Sequence, residues 1–375
     1  MNNKKNPSMQ NRIYFLDNLK AFVIFLVVLN HAGYVYDKSG ILSSVWIVDD
    51  PSKNALPGIL NLIVDMFMMP IIFFISGYFT PLSLKTKTGW CFVISRFKKL
   101  MVPWVIAVLT LIPLYKVIFL YARNLPQENL ASYFHFSGGI LINQGWLWFL
   151  PVLFMFDLLY YGLLKLKLLT LNFNLKWTVM TVFLVGFLYS VCMSFLNTYG
   201  WTKTLLLDFQ NERLLIYFMI FLLGSLCFKL DVFKTLPTSK KLYIFICATC
   251  WLPMNVYIIF LVNLFLNPGI YIISYIFDII LVWIGFHLSL FSLLYILINT
   301  FRFYLNRSGR ILRNLGKYSY GVYIIHFIVL GCIALFLLNT TISSLSKYAI
   351  LTVSTYLISI LVVSLYYKIV QVIRK

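Results

Sequence analysis

The sequence predicts an all-α polytopic membrane protein, a bundle of about ten transmembrane helices with both termini in the cytoplasm. Three observations carry that expectation. Hydrophobic residues make up 61% of the 375 residues and charged residues only 11%, against about 45–50% and about 25% in soluble domains. The apolar residues fall in long unbroken runs, close to the ~20 residues that a helix needs to cross hydrocarbon. Lys and Arg gather in alternate connections between those runs, as they do on the cytoplasmic side of membrane proteins. The same figures exclude a soluble enzyme and a disordered chain. The unbroken runs exclude the in-out alternation of a membrane β-barrel.

The expected helices are 13–33, 57–81, 101–121, 146–164, 177–196, 214–229, 242–265, 270–298, 318–338 and 348–368. The first keeps Asp17 and Lys20 and has no small-residue cleavage site, so it reads as a retained span and not a signal peptide. The second and third flank a basic connection with Lys85, Lys87, Arg96, Lys98 and Lys99. Pro103, Pro113, Pro151 and Pro253 lie near helix starts or inside helices, where packed neighbours satisfy the freed backbone groups. The fourth helix opens with GWLWFLP and ends before Lys165, Lys167 and Lys176, which precede the fifth. The sixth and seventh are joined by a connection with Lys229, Lys234, Lys240 and Lys241. The eighth and ninth are joined by one with Arg302, Arg307, Arg310, Arg313 and Lys317; Lys368, Arg374 and Lys375 follow the tenth. The opposite side holds Lys38, Lys53, Arg123, Lys203, Arg213 and Lys347, offset by Asp37, Asp49, Asp50, Glu128, Asp208 and Glu212. The net charge of +20 is thus mostly a topology device, and no nucleic-acid partner is expected.

The domain reading is a cytoplasmic tail over 1–12, one membrane domain over 13–368 and a short tail over 369–375, without an internal repeat or an appended soluble domain. The six cysteines lie mostly in or beside apolar runs, where they act as small packing residues. No metal site and no permanently bound cofactor is expected.

Ionisable groups inside lipid are costly and usually functional. Asp17, Lys20, His31, Asp65, Lys116, Asp157, Asp278, His287 and His326 form that set. Lys20 and His31 are eleven residues apart, about 20° past three full turns, so they share one face of the first helix. Asp17 lies within i,i+3 reach of Lys20, and His31 stands about 16 Å further toward the exterior. The competing reading is a snorkelling Asp–Lys pair with an unrelated histidine at the helix end. Asp65 and Asp157 face the bundle interior, as partners of a buried cation or as catalytic groups. His326 follows three tyrosines in KYSYGVYIIH, and either acts at the site or is a hydrogen-bonded core residue. His287 and the exterior His135 read as structural. Arg96, Lys98 and Lys99, in RFKKLMVP, form a basic cluster suited to phosphate or a plain cytoplasmic anchor. Trp146 and Trp148 suit an interfacial belt or the stacking of sugar rings.

These segments together resemble the membrane acyltransferase 3 family, most closely its glucan biosynthesis protein C type of succinyltransferase. YFLDNLKAFVIFLVVLNH is similar to the family's basic residue, ten residues, histidine signature, which falls on Lys20 and His31. FFISGYFT resembles the F-x-SGYF segment. RFKKLMVP resembles the R-x-x-R-x-x-x-P motif on Arg96, Lys99 and Pro103, and WLWFLPVLF and KYSYGVYIIH resemble later signatures. Lys stands where the family usually has Arg at 20 and 99, so the bidentate fork is lost there. The resemblance implies transfer of a short acyl group, acetyl or succinyl, from cytoplasmic acyl-CoA as co-substrate to a hydroxyl of an extracytoplasmic carbohydrate. The setting it implies is the bilayer of a bacterial cytoplasmic membrane, with envelope-polysaccharide biosynthesis proteins as further partners. On that reading His31 is the general base, Lys20 or His326 stabilises charge, and Asp17 supports Lys20. Arg96, Lys98 and Lys99 hold the acyl-CoA; Trp146, Trp148, Asp65 and Tyr323 meet the acceptor. Direct transfer and an acyl-His31 intermediate both fit. A transporter or flippase of a glycan or lipid-linked intermediate is the alternative.

Overall fold

The computed structural model describes residues 13–40, 42–129, 144–170, 174–204, 206–235, 239–307 and 309–373. Thirteen helices run in order among them. They are α1 (Tyr14–Tyr36), α2 (Ala55–Asp65), α3 (Met68–Lys85), α4 (Gly89–Ala122), α5 (Phe149–Lys165), α6 (Leu175–Phe195) and α7 (Leu214–Lys229). The short α8 (Val232–Thr235) follows, then α9 (Lys240–Thr249), α10 (Trp251–Leu266), α11 (Tyr275–Tyr304), α12 (Arg310–Leu338) and α13 (Ser344–Ile373). A 3-10 turn, Gly145–Trp148, leads into α5. Between α6 and α7, β1 (Trp201–Lys203) and β2 (Asp208–Gln210) pair antiparallel.

The expected runs reappear as a helical membrane bundle. Nine segments among the described residues are long and apolar enough to span a bilayer, with α2 and α3 counted as one broken segment and α9 and α10 as another. The remaining apolar helix, α7, has 16 residues, about 24 Å of rise.

Several boundaries differ from the hydropathy reading. α4 begins at Gly89, so Arg96, Lys98 and Lys99 stand on the helix and not in the loop before it. The segment is amphipathic, burying Phe92 and Leu100 while exposing Lys98 and Lys99, and mean hydropathy does not register such a stripe. α12 likewise starts at Arg310 and not 318. α11 starts later than 270, because Gly269 at φ 85 turns the chain and Ser274 caps the helix. Asp278 accepts the backbone N–H groups of Ile272 (2.8 Å) and Ile273 (3.1 Å). It is therefore a capping carboxylate at the start of α11. The last helix runs past 368 to Ile373.

The centre of the bundle is the α3–α7 contact, against which α1 packs from one side. Glycines permit the close approach. A Cβ added at Gly77 would sit 1.9 Å from the Phe221 carbonyl oxygen, and one at Gly224 would sit 2.1 Å from that of Phe74. Membrane helices without a hydrophobic drive toward each other associate through such small residues. This gives the SGYF segment a packing role. α1 also contacts α12, α13 and α2, so the helix with the basic–histidine spacing is central to the fold.

Gly77→Ala and Gly224→Ala should each cost roughly 1–3 kcal/mol or more by overpacking. In thermal unfolding of the detergent-solubilised protein followed by tryptophan fluorescence, both should lower Tm. Gly162→Ala, where nothing lies within 4 Å of the new Cβ, should leave Tm unchanged or raise it.

Candidate active site

α1 and α12 bring His31 and His326 together. His31 Nδ1 lies 2.8 Å from His326 Nε2, and the two rings are within 4° of parallel. His326 Nδ1 faces two backbone carbonyls, Tyr323 O at 2.8 Å and Val322 O at 3.2 Å. A carbonyl only accepts, so this nitrogen carries the proton. His326 Nε2 then accepts from His31 Nδ1–H, and the lone pair of the pair rests on His31 Nε2. His326 is fully buried, whereas His31 is half-buried. His31 lines a cavity of about 590 Å³ at the end of the bundle where the sequence expects the exterior. The arrangement is a base at a cavity wall, oriented from behind by a second imidazole.

The cavity is walled largely by aromatic rings. Trp46, in the α1–α2 connection, packs 5.7 Å from the His31 ring and donates its indole N–H to the His31 carbonyl at 3.2 Å. Arg123 fixes that connection by donating to Ser43 O (2.7 Å) and Trp46 O (2.8 Å), and the Tyr115 hydroxyl donates to Val45 O. Trp146 stacks on Phe327 at 4.5 Å and 5°, and its indole donates to Ile324 O at 2.8 Å. The Tyr323 hydroxyl donates to Trp146 O. Trp148 meets Trp201 of the β1–β2 hairpin edge-on at 5.3 Å. At the hairpin, burial raises the Asp208 carboxyl, opposed by the backbone N–H groups of Thr204 and Gln144 that donate to it.

Asp65, at the break between α2 and α3, lines the same cavity. Arg213 donates to its Oδ2 at 2.5 Å and to the Tyr257 hydroxyl at 3.1 Å, with its guanidinium over the Phe286 ring. The sequence offered Arg213 only as a loop cation, so this pairing had no signal in it. Trp46, Phe327 and Trp201 also went unmarked, because aromatic residues are 18% of the chain and sequence spacing does not separate cavity rings from core rings.

The opposite end of the bundle gathers the cations. Lys99 lies close enough to Arg96 and Lys20 to feel both charges, and its carbonyl accepts the Tyr320 hydroxyl at 2.7 Å. Asp17 and Lys20 thus stand near the cytoplasmic end, apart from the histidine pair. Asp17 backs onto Gly316 of α12. Arg96 is held within the bundle, 3.4 Å from Asp157 and 3.1 Å from the Thr80 hydroxyl, which in turn donates to Asp157 at 3.0 Å. Lys98 and Lys99 line an open groove of about 480 Å³ with Cys91 and Ser95.

The other singled-out groups sit elsewhere. Lys116 meets Glu128 at 2.7 Å at the cavity edge. His287 donates from Nδ1 to Trp283 O at 2.9 Å and is enclosed by Phe183, Phe187 and Phe286. His135 lies outside the described residues. No cluster of metal-ligating groups occurs among the described residues.

A buried ion pair also connects the site to α13. Lys347 of α13 donates to Asp50 at 2.9 Å, both side chains almost fully enclosed. It anchors the α1–α2 connection that carries Trp46.

A family model described as an acyltransferase domain matches residues 13–364. No curated protein and no solved structure matches the chain.

Lys347→Met should strand a buried carboxylate and cost roughly 3–5 kcal/mol. Lys347→Met with Asp50→Asn should recover most of that loss. Thermal unfolding of the two variants and a double-mutant cycle measure it.

Proposed function

The chain belongs to the acyltransferase 3 family, and on that footing we propose that it moves a short acyl group, acetyl or succinyl, from cytoplasmic acyl-CoA to a hydroxyl of an extracytoplasmic carbohydrate. It is a multi-pass membrane acyltransferase; the donor, the acceptor and a bacterial cytoplasmic membrane are the finer parts of this reading. The observation that carries it is the oriented His31–His326 pair at the wall of an outward aromatic cavity.

The chemistry follows from the tautomers. His31 Nε2 takes the proton of the acceptor hydroxyl as its oxygen attacks the thioester carbonyl carbon. Collapse of the tetrahedral adduct breaks the C–S bond, and the proton on His31 passes to the departing thiolate, leaving an ester and free CoA. His326 keeps Nδ1–H on its carbonyls and accepts from His31 throughout, so the base does not change tautomer or swing from the wall. An imidazole is suited to this task because its ordinary pKa of ~6.5 lies near working pH. Aromatic rings of the cavity stack on apolar sugar faces and keep polar competition low.

The cationic end supplies the donor side. Lys98, Lys99 and Lys20 meet the CoA phosphates as point charges. Arg96, held by Asp157, sets the local field and shapes the helix end. The thioester arm then spans the roughly 16 Å between Lys20 and His31. The basic residue of the first helix serves the donor, and the histidine eleven residues on serves the acceptor.

Purified protein in detergent, given radiolabelled acetyl-CoA and succinyl-CoA, should release CoA with one of them. His31→Ala should lower turnover by about 10²–10⁴, the range for loss of a general base. His326→Ala should lower kcat with the KM for acyl-CoA little changed. Lys98→Met with Lys99→Met should do the reverse and raise that KM. Full turnover by correctly inserted His31→Ala contradicts the base assignment. CoA-independent movement of a lipid-linked glycan contradicts the acyltransferase chemistry and favours a flippase.

A further inference from the structure

Asp65 places a carboxylate on the wall of the aromatic cavity. This inference rests on the acyltransfer reading above. Asp65 lines the cavity with 31% of its side chain exposed, while Arg213 behind it is 7% exposed. Arg213 occupies Oδ2. Oδ1 accepts no hydrogen bond among the described residues. A carboxylate held in this way is rigid and charge-compensated from behind, and it presents an oxygen that can only accept.

Its position relative to the base is set by α1. Tyr34 stands one turn beyond His31, lines the same cavity, and lies within electrostatic reach of Asp65. Its ring packs against Trp46 at 4.7 Å. His31, Tyr34 and Asp65 thus line one cavity. A sugar acceptor held there with one hydroxyl at His31 has further hydroxyls for Asp65 to receive.

Charge at the cavity edge does not reverse this preference. Lys116 is matched by Glu128 at 2.7 Å, and Lys203, which also lines the cavity, lies within electrostatic reach of Asp208. Arg213, the strongest cation nearby, is turned into the core against Tyr257 and Phe286.

We propose that Asp65, locked by Arg213, is the acceptor-selecting residue: its Oδ1 takes a hydroxyl hydrogen of an uncharged sugar acceptor, other than the hydroxyl that His31 deprotonates, and turns away acceptors carrying a carboxylate there. Asp65 acts as a binding group for the acceptor and takes no part in proton transfer.

The test is a tryptophan-fluorescence titration of the full-length protein in detergent, since Trp46, Trp146, Trp148 and Trp201 line the cavity. The probes are methyl glucoside and methyl glucuronide, which differ by one carboxylate. Wild type should bind the neutral glycoside at least about tenfold tighter, because like-charge juxtaposition is penalised at a desolvated contact. Asp65→Asn should close the gap to within about twofold or reverse it in favour of the glucuronide, since Arg213 then has no counter-charge. If Asp65→Asn leaves Arg213 stranded and fails to fold, Asp65→Asn with Arg213→Gln removes both charges and should show the same narrowing. Equal or tighter glucuronide binding by wild type overturns the proposal, as does a gap that persists in the variants. Binding of neither glycoside also overturns it; CoA release that still depends on His31 then leaves the acyltransfer reading standing, and loss of both removes the two together.

Discussion

A single hydrogen bond between two imidazoles, His31 to His326, sets the terms for the rest of the molecule. Hydrocarbon offers no water to an unpaired polar group, so each nitrogen needs a protein partner or an opening. His326 spends one nitrogen on the carbonyls of its own helix and the other on His31. That fixes α12 against α1 in both rotation and height. Trp146 and Tyr323 then bind α12 to the turn before α5, and Trp46 closes the exterior end of α1. The cavity is lined by rings that pack on one another and are tied to the backbone by these hydrogen bonds.

The buried charges divide into two populations with different purposes. Lys347 with Asp50, and Arg213 with Asp65, are pairs on the exterior half that hold loops and helix breaks in place. A buried pair of this kind contributes little net stability but is costly to break, which makes it a device for position. The cytoplasmic end works otherwise: Lys20, Arg96 and Lys99 are cations brought near each other, with Asp157 as the acid between helices α4 and α5. Like charges gathered at one membrane face raise the local potential for an anion. The bundle thus gathers cations at one end and carries the histidine pair and the aromatic cavity apart from them.

Much of this is legible in the sequence, and the limits have physical causes. Long apolar runs gave the helices, and alternate basic loops gave their direction. Helix starts at Gly89 and Arg310 were missed because amphipathic turns average to low hydropathy. His31 and His326 each stood out as ionisable groups in lipid. Their pairing did not, since 295 residues separate them and no local spacing encodes a contact between α1 and α12. Asp65 was marked for the same reason as the histidines, whereas Arg213 looked like a loop cation until the fold placed it beneath Asp65. The spacing of Lys20 and His31 predicts their separation along the helix but not that Lys20 comes within electrostatic reach of Lys99 of α4, since no local spacing encodes that approach.

The central claim is that donor and acceptor enter from opposite faces and meet at His31. Reconstitution into sealed, unidirectionally oriented vesicles tests it most directly. Labelled acyl-CoA is supplied only on the cytoplasmic face and a glycoside acceptor only on the other, with ester formation on the far side as the readout. The account predicts labelled ester there, lost in His31→Ala. Ester that forms only when donor and acceptor share one face would contradict it.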